Sequence, residues 1–347
     1  IGVNYAAPIE TVNAVETANE GEVTISWTPV TTDIDGNPLA PSQVTYDIYR
    51  LSGYSRTLVK SGITECEYTY QAVPADGKQD FFQWLVFPMT AAGEYEGQIS
   101  PMIAVGKSYE CPFSESFADK KPVSNWATNG SGGGEIALGD GRMGVDPQDD
   151  DGGYIVFYGE YADLYAETMS GKILVSGDNP LLAFYTYVMD GNMNEIAVYV
   201  NDGNEKSLVK TVVVSELGDA GRWARVIVPM EAYVGKKILV HFIATVKSHA
   251  YTMIDNIYVG SLPAKDVAVT SVSAPAKVKA GGSFNVAVRV DNHGLEAASG
   301  YTVDLFCNNE KVASENGINL EGGDSGVFSF QQSIPFISEE KYDYHAV

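Results

Sequence analysis

The chain reads as a succession of short alternating runs. In EVTISWTPV the apolar Val23, Ile25 and Trp27 alternate with polar neighbours, and VTYDIYR repeats the pattern with Val44, Tyr46 and Ile48. Alternation with a period of two puts every second side chain on one face of a strand. FFQWLVFPMTAAGE does the same with Phe82, Trp84 and Val86, until Pro88 marks a bulge or an edge position. Across residues 222–244, RWARVIVPMEAYVGKKILVHFIA, Trp223 opens one alternating run, a Tyr-x-Gly turn at Gly235 interrupts it, and a second apolar run follows. GGSFNVAVRVDNHG alternates Phe284, Val286, Val288 and Val290. Helical periodicity is almost absent, and Gly, Asn, Asp and Pro punctuate the runs. The pattern predicts an all-β chain built from sandwich modules.

Two breaks divide the runs. AVGKSYECP near residue 107 and GSLPAKD near residue 262 separate modules expected at 1–107, 108–262 and 263–347. The middle one holds roughly nine strand-like runs, among them GYIVFYG, PLLAFYTYVM and EIAVYVND, joined by long connections. That count fits a jelly roll. A length of 347 residues suits two to four domains, each large enough for its own core.

Composition sharpens the functional classes. The net charge is −23, and it is spread: 5 basic against 13 acidic side chains in 1–107, 11 against 21 in 108–262, and 6 against 11 in 263–347. Phosphate backbones need Lys and Arg, so nucleic acid is not an expected partner, nor is an anionic membrane surface. The acidity reads mainly as solubility, as in an exported bacterial protein. Cys66, Cys111 and Cys307 lie far apart and form no recognisable disulfide framework. No run has the length of a membrane-spanning helix. The chain opens at Ile1 without Met and closes in the strand-like YDYHAV, which reads as trimmed at both ends. The protein is expected to be secreted or on a bacterial cell surface, and to be a monomer.

The ordered motifs carry three resemblances. Residues 1–107, with the Trp27 strand, the Tyr-x-x-Tyr-Arg strand ending at Arg50 and the late aromatic strand, resemble a fibronectin type III domain. They depart from it at Phe82, where that family has the tyrosine of its corner. Residues 108–262 run through FSESF, NW at Asn125–Trp126, GKILVSGDNPLLAFYTYV, NEIAVYVNDG, the stretch 222–244 and MIDNIYVG. This order resembles the MAM-like jelly rolls of bacterial surface proteins, including the cleaved-adhesin domains of gingipain-type haemagglutinins (choice-of-anchor modules among them). On that resemblance Trp223, Val226, Val228, Tyr233, Val240 and Phe242 are framework. Residues 263–347, with Ala-Pro, Gly-Gly-Ser-Phe, Val-Asp-Asn-His-Gly and Tyr-Thr-Val-Asp-Leu in series, look like the Ig-like CARDB spacers of such proteins.

The resemblance also implies a structural calcium held by Glu115 of the first strand and Asp255 of the last, with Asp140 in LGDGR as a further carboxylate. A second acid often follows the Phe in that family; here Ala118 stands there and Asp119 follows. Ordinary hydrogen bonding is the competing account of Glu115 and Asp255. VDPQDDDGG lacks the spacing and terminal Glu of an EF-hand loop, and NGSGGGE lacks the context and Lys of a phosphate-binding loop. The four histidines lie in no metalloprotease motif, and no Gly-x-Ser-x-Gly elbow exists. His241, inside an apolar strand, reads as a core or groove histidine. Exposed aromatic rings stack on sugars or anchor proteins, and Trp126, Tyr154 and Tyr158 near loops are the candidates for that role; Tyr185 and Tyr187 read as core or partly buried. The function expected is non-catalytic adhesion or ligand binding by the jelly roll, to a glycan or a host protein, between two spacers. The alternative is an accessory adhesin segment of a larger secreted peptidase or glycoside hydrolase.

Overall fold

The computed structural model describes residues 4–73, 77–129, 135–139, 144–158, 164–191, 194–246, 250–336 and 341–347. Its strands form three pairs of facing sheets, connected by turns and single 3-10 turns. The chain is all-β. Among the described residues no helix is long and apolar enough to cross a membrane.

In the first module, Val12–Glu16, Glu22–Trp27 and Glu67–Gln71 form one antiparallel sheet. It packs on a second sheet centred on Thr45–Ser52 and Asp80–Thr90. The alternating residues meet as read: Val23, Ile25, Trp27, Val44, Tyr46, Ile48, Phe82, Trp84 and Val86 are all buried in one cluster. Pro88 lies inside a central strand, opposite Tyr46. On its other side the partner changes there, from Gly93–Glu94 to Gln98–Ile99. The missing N–H therefore falls at a break in the neighbouring edge and costs no ladder bond.

In the third module, Val267–Ser273, Ser283–Asn292 and Ser325–Ser333 face a sheet of Glu310–Asn316, Thr302–Cys307 and Tyr344–Ala346. Val286, Val288 and Val290 point into its core, with Phe284 packed against them. Asn308 and Asn309 take φ of 50° and 67° in the two-residue turn between Thr302–Cys307 and Glu310–Asn316. Asn tolerates that left-handed backbone and suits such a hairpin.

The middle module is a larger sandwich. One sheet contains Trp126–Asn129, Leu164–Ser170, Lys237–Val246, Glu195–Asn201 and Lys206–Val213, in that spatial order, with two short strands at one end. The other runs Glu135–Gly139, Tyr154–Tyr158, Tyr251–Gly260, Leu181–Val188 and Arg222–Pro229, with Phe113–Glu115 added beside Tyr251–Gly260. Phe157, Phe184, Val198, Val240, Phe242 and Ile254 are among the residues that fill the space between them. Trp223 lies on the edge strand, and Val226, Val228, Val240 and Phe242 are core. None of the three cysteines forms a disulfide.

Both module junctions are hydrogen-bonded. Gln79 of the first module donates to the carbonyls of Lys107 (2.9 Å) and Lys172 (3.1 Å), and its Oε1 accepts the Lys172 N–H. Asn125 donates to the Gln79 carbonyl, and the Lys172 ammonium pairs with the Glu16 carboxylate. At the second junction Arg225 donates to the carbonyls of His293 (3.0 Å) and Gly294 (2.6 Å). Arg289 donates to the Gln148 carbonyl at 2.7 Å and pairs with Asp291 at 2.9 Å.

Candidate functional site

Of the three rings expected to face a ligand, two are committed to packing. Trp126 starts a strand and turns inward, with ring centroids 5.3 Å from Phe117 and 6.4 Å from Phe242, while its Nε1 donates to Ser124 Oγ at 2.9 Å. Tyr154 is 0% exposed; its hydroxyl donates to the Val145 carbonyl at 2.9 Å and its ring lies edge-on to Trp223 at 5.7 Å. A ring buried on both faces has no surface to offer a sugar. Tyr158 is half-buried and lies 6.4 Å from Tyr251, which keeps a solvent-exposed edge. Trp126, packed on its inner side, is likewise half-buried, so of the three only Tyr154 is shut off from solvent.

The carboxylates expected to share a calcium are turned apart. Glu115 is directly opposite Ile257, on the face that looks into the sandwich. Its carboxylate accepts from Phe117 N (3.0 Å), Ser124 N (2.8 Å) and Ser124 Oγ (2.5 Å). Asp255 is opposite Tyr185, on the outer face, because the ladder slips between Ala183 and Tyr185 and Asn256 takes a φ of 47°. The extra residue exchanges the faces of the positions on either side of it. Asp255 accepts from Gln148 N at 2.8 Å and Asn256 N at 2.7 Å. Burial pushes its pKa up to about 8, and the negative charges of Asp149 and Asp151 add to the effect. Asp140 lies outside the described residues. Among the described residues no three His, Cys, Asp or Glu side chains converge so as to hold a metal. Hydrogen bonding accounts for Glu115 and Asp255 as they stand.

A different constellation occupies the outer face of the seven-stranded sheet. The register sets Met169, His241, Tyr199 and Leu208 in one row across four strands, and Glu167, Ile243 and Ala197 in the next. His241 Nδ1 lies 2.8 Å from Glu167 Oε1, and Lys206 Nζ reaches the same oxygen at 2.5 Å. The two contacts hold the Glu167 carboxyl down at about 2, the His241 hydrogen bond contributing most. Lys206 also sits 5.2 Å above the centre of the Tyr199 ring, a cation–π contact. His241 is only 6% exposed, and its Nε2 is buried with no hydrogen-bond partner among the described residues. Tyr165, 46% exposed, stands at the far end of the same face, opposite Thr245. At the near end, a groove of about 230 Å³ separates Leu239 and Asn201 from Val15 and Ile103 of the first module.

Sequence reading took His241 as a core or groove histidine and missed Glu167, Lys206 and Tyr199. Glu167 is 74 positions from His241 and 39 from Lys206, so only the register of four strands joins them. The visible signal was the alternation in EIAVYVND and KILVHFIATV, which puts Tyr199 and His241 opposite the apolar face of their strands.

Three β-sandwich modules in series, with a polar and aromatic sheet face on the middle one, define the class of the molecule. Residues 264–347 match the family model for CARDB. No curated protein matches the chain. Among solved structures, the chain is similar to one of carbohydrate-binding modules from the β-sandwich superfamily, at 11% identity, covering 72% of this chain and 98% of that one, with a TM-score of 0.32. It is similar to the K1 cleaved adhesin domain of Lys-gingipain from Porphyromonas gingivalis, at 16% identity over 42% of this chain and 96% of that one, TM-score 0.31. It is also similar to an Fn3-like protein from Clostridium thermocellum, at 18% identity over 29% of this chain and 92% of that one, TM-score 0.22.

Proposed function

We propose that the chain is the non-catalytic, ligand-binding part of an exported or cell-surface adhesion protein, and that its jelly roll takes a glycan on the outer face of the seven-stranded sheet. The flanking modules set the distance and orientation of that face. The observation that carries the reading is His241 Nε2. A buried ring nitrogen without a partner costs about 1–3 kcal/mol, yet this one lies on the outer side of a sheet, between a tyrosine and an ion pair. A ligand hydroxyl is a group of the right size and polarity to satisfy it. Tyr165 offers ring surface to the C–H face of a sugar, Tyr199 lies beneath the Lys206 ammonium beside it, and Glu167 and Lys206 offer an acceptor and a donor to its hydroxyls. Glycosidase chemistry needs one carboxyl that keeps its proton; Glu167 is held ionised by two partners and is unsuited to that work.

The test is a binding screen of the whole chain on an array of neutral and acidic glycans together with host matrix and haem proteins. A glycan should be retained, and His241→Ala and Tyr199→Ala should each weaken it about tenfold or more. A blank array, a protein hit alone, or a glycan hit that neither substitution changes overturns the reading.

A further inference from the structure

The geometry points to a second ligand site, in the cleft between the middle and third modules, shaped for a short neutral saccharide. The cleft has a volume of about 540 Å³, within the range of small-molecule sites, about 300–1,000 Å³. It opens on the outer face of the six-stranded sheet, so the two sheets of the sandwich separate it from His241.

Its floor is aromatic. Trp223 and Tyr187 are half-buried, face each other across paired strands with ring centroids 5.5 Å apart at 72°, and both line the cleft. Trp223 is fixed from behind: Nε1 donates to the Asp146 carbonyl at 2.9 Å, and Tyr154 packs on its ring. Here buried Tyr154 has its use, as the support of a ring that does face open space. The opposite wall belongs to the third module, where Val327 is 69% exposed beside Asp324 and Ser325. Neither module alone has the cleft.

The junction is already fastened, so the site is formed before any ligand arrives. Arg225 ties the edge strand to the carbonyls of His293 and Gly294, Tyr185 donates to the Gly323 carbonyl at 3.3 Å, and Arg289 crosses to Gln148. Preorganisation of this kind saves the ordering cost of binding. The charges decide the ligand class. Arg222 faces Asp324 at 4.0 Å, and Arg289 faces Asp150 at 3.4 Å as well as Asp291. Each guanidinium in the cleft already has a carboxylate, and Asp146 is in excess. A phosphate, sulfate or uronate would have to displace those carboxylates. A neutral sugar can stack on Trp223 and share hydrogen bonds with the paired ions without separating them.

The experiment uses the full chain and a panel of cellotriose, galactotriose, mannotriose, chitotriose and trigalacturonate, with calorimetry for affinity and stoichiometry. His241→Ala silences the sheet face, so the two sites are read separately. In that background a neutral trisaccharide should still bind, and Val327→Trp, which fills the cleft from an exposed strand position, should weaken it about tenfold or more. Ser325→Trp, also on the third-module wall, is the second variant, with circular dichroism confirming the fold of each. The inference is overturned if no neutral trisaccharide binds the His241→Ala protein, if neither cleft-filling variant changes its affinity, or if trigalacturonate is preferred.

Discussion

Glu167 satisfies two partners with one oxygen, and its neighbourhood has a measurable pH signature. The folded carboxyl sits near 2 against an ordinary value of 4.5, because His241 and Lys206 both favour its ionised form. A depressed acid stabilises the fold fully above its unfolded value and ceases to as the pH falls through its folded value. Stability should therefore decline from about pH 4.5 towards pH 2 with a contribution from this group. Glu167→Gln should flatten that part of the curve in acid-melting experiments. At neutral pH the same substitution leaves Lys206 and the His241 ring less well partnered and should cost about 2 kcal/mol, or about 4–8 °C in Tm. An unchanged acid limb would show that Glu167 is not ionised as described.

At the scale of single elements, close backbone approaches set the tolerance to change. A Cβ at Gly153, just before the strand Tyr154–Tyr158, would lie 1.7 Å from the Phe117 carbonyl oxygen. Backbone cannot yield as a flexible side chain does, so Gly153→Ala should cost about 2–3 kcal/mol or more, seen as a lower denaturation midpoint with an unchanged m-value. Most strands were legible from alternation alone, since Val23, Ile25 and Trp27, or Val286, Val288 and Val290, bury together wherever one face is a core. What alternation cannot foresee is a slip. One extra residue at Asn256 carries Asp255 to the face opposite Glu115, the residue with which the family resemblance implies a shared calcium. Similarly, Trp126 and Tyr154 border loops in sequence but turn inward in space, because nearness to a loop does not fix which side of the sheet a ring takes.

Taken whole, the molecule depends on a few side chains that cross between modules. Gln79 and the Glu16–Lys172 pair hold the first junction, and nothing in the sequence around residue 107 announces them. Lys172→Met removes one member of a buried pair and leaves Glu16 charged without its partner, which should cost about 3–5 kcal/mol. Differential scanning calorimetry should show the first module of the variant melting earlier and apart from the second, against a single coupled transition expected for the native chain. The cleft that Trp223 shares with Val327 was hidden for the same reason as this junction: it belongs to two modules at once. The placement of that cleft has one more consequence. It lies on one sheet of the sandwich and His241 on the other, and packed sheets stand about 10 Å apart. A trisaccharide cannot reach round the module to occupy both. If both faces take sugar as proposed, a polymer that presents many copies of it would be held by one face while a second strand is held by the other, so a single copy of the chain would act as a cross-linker, gathering loose polysaccharide into a network.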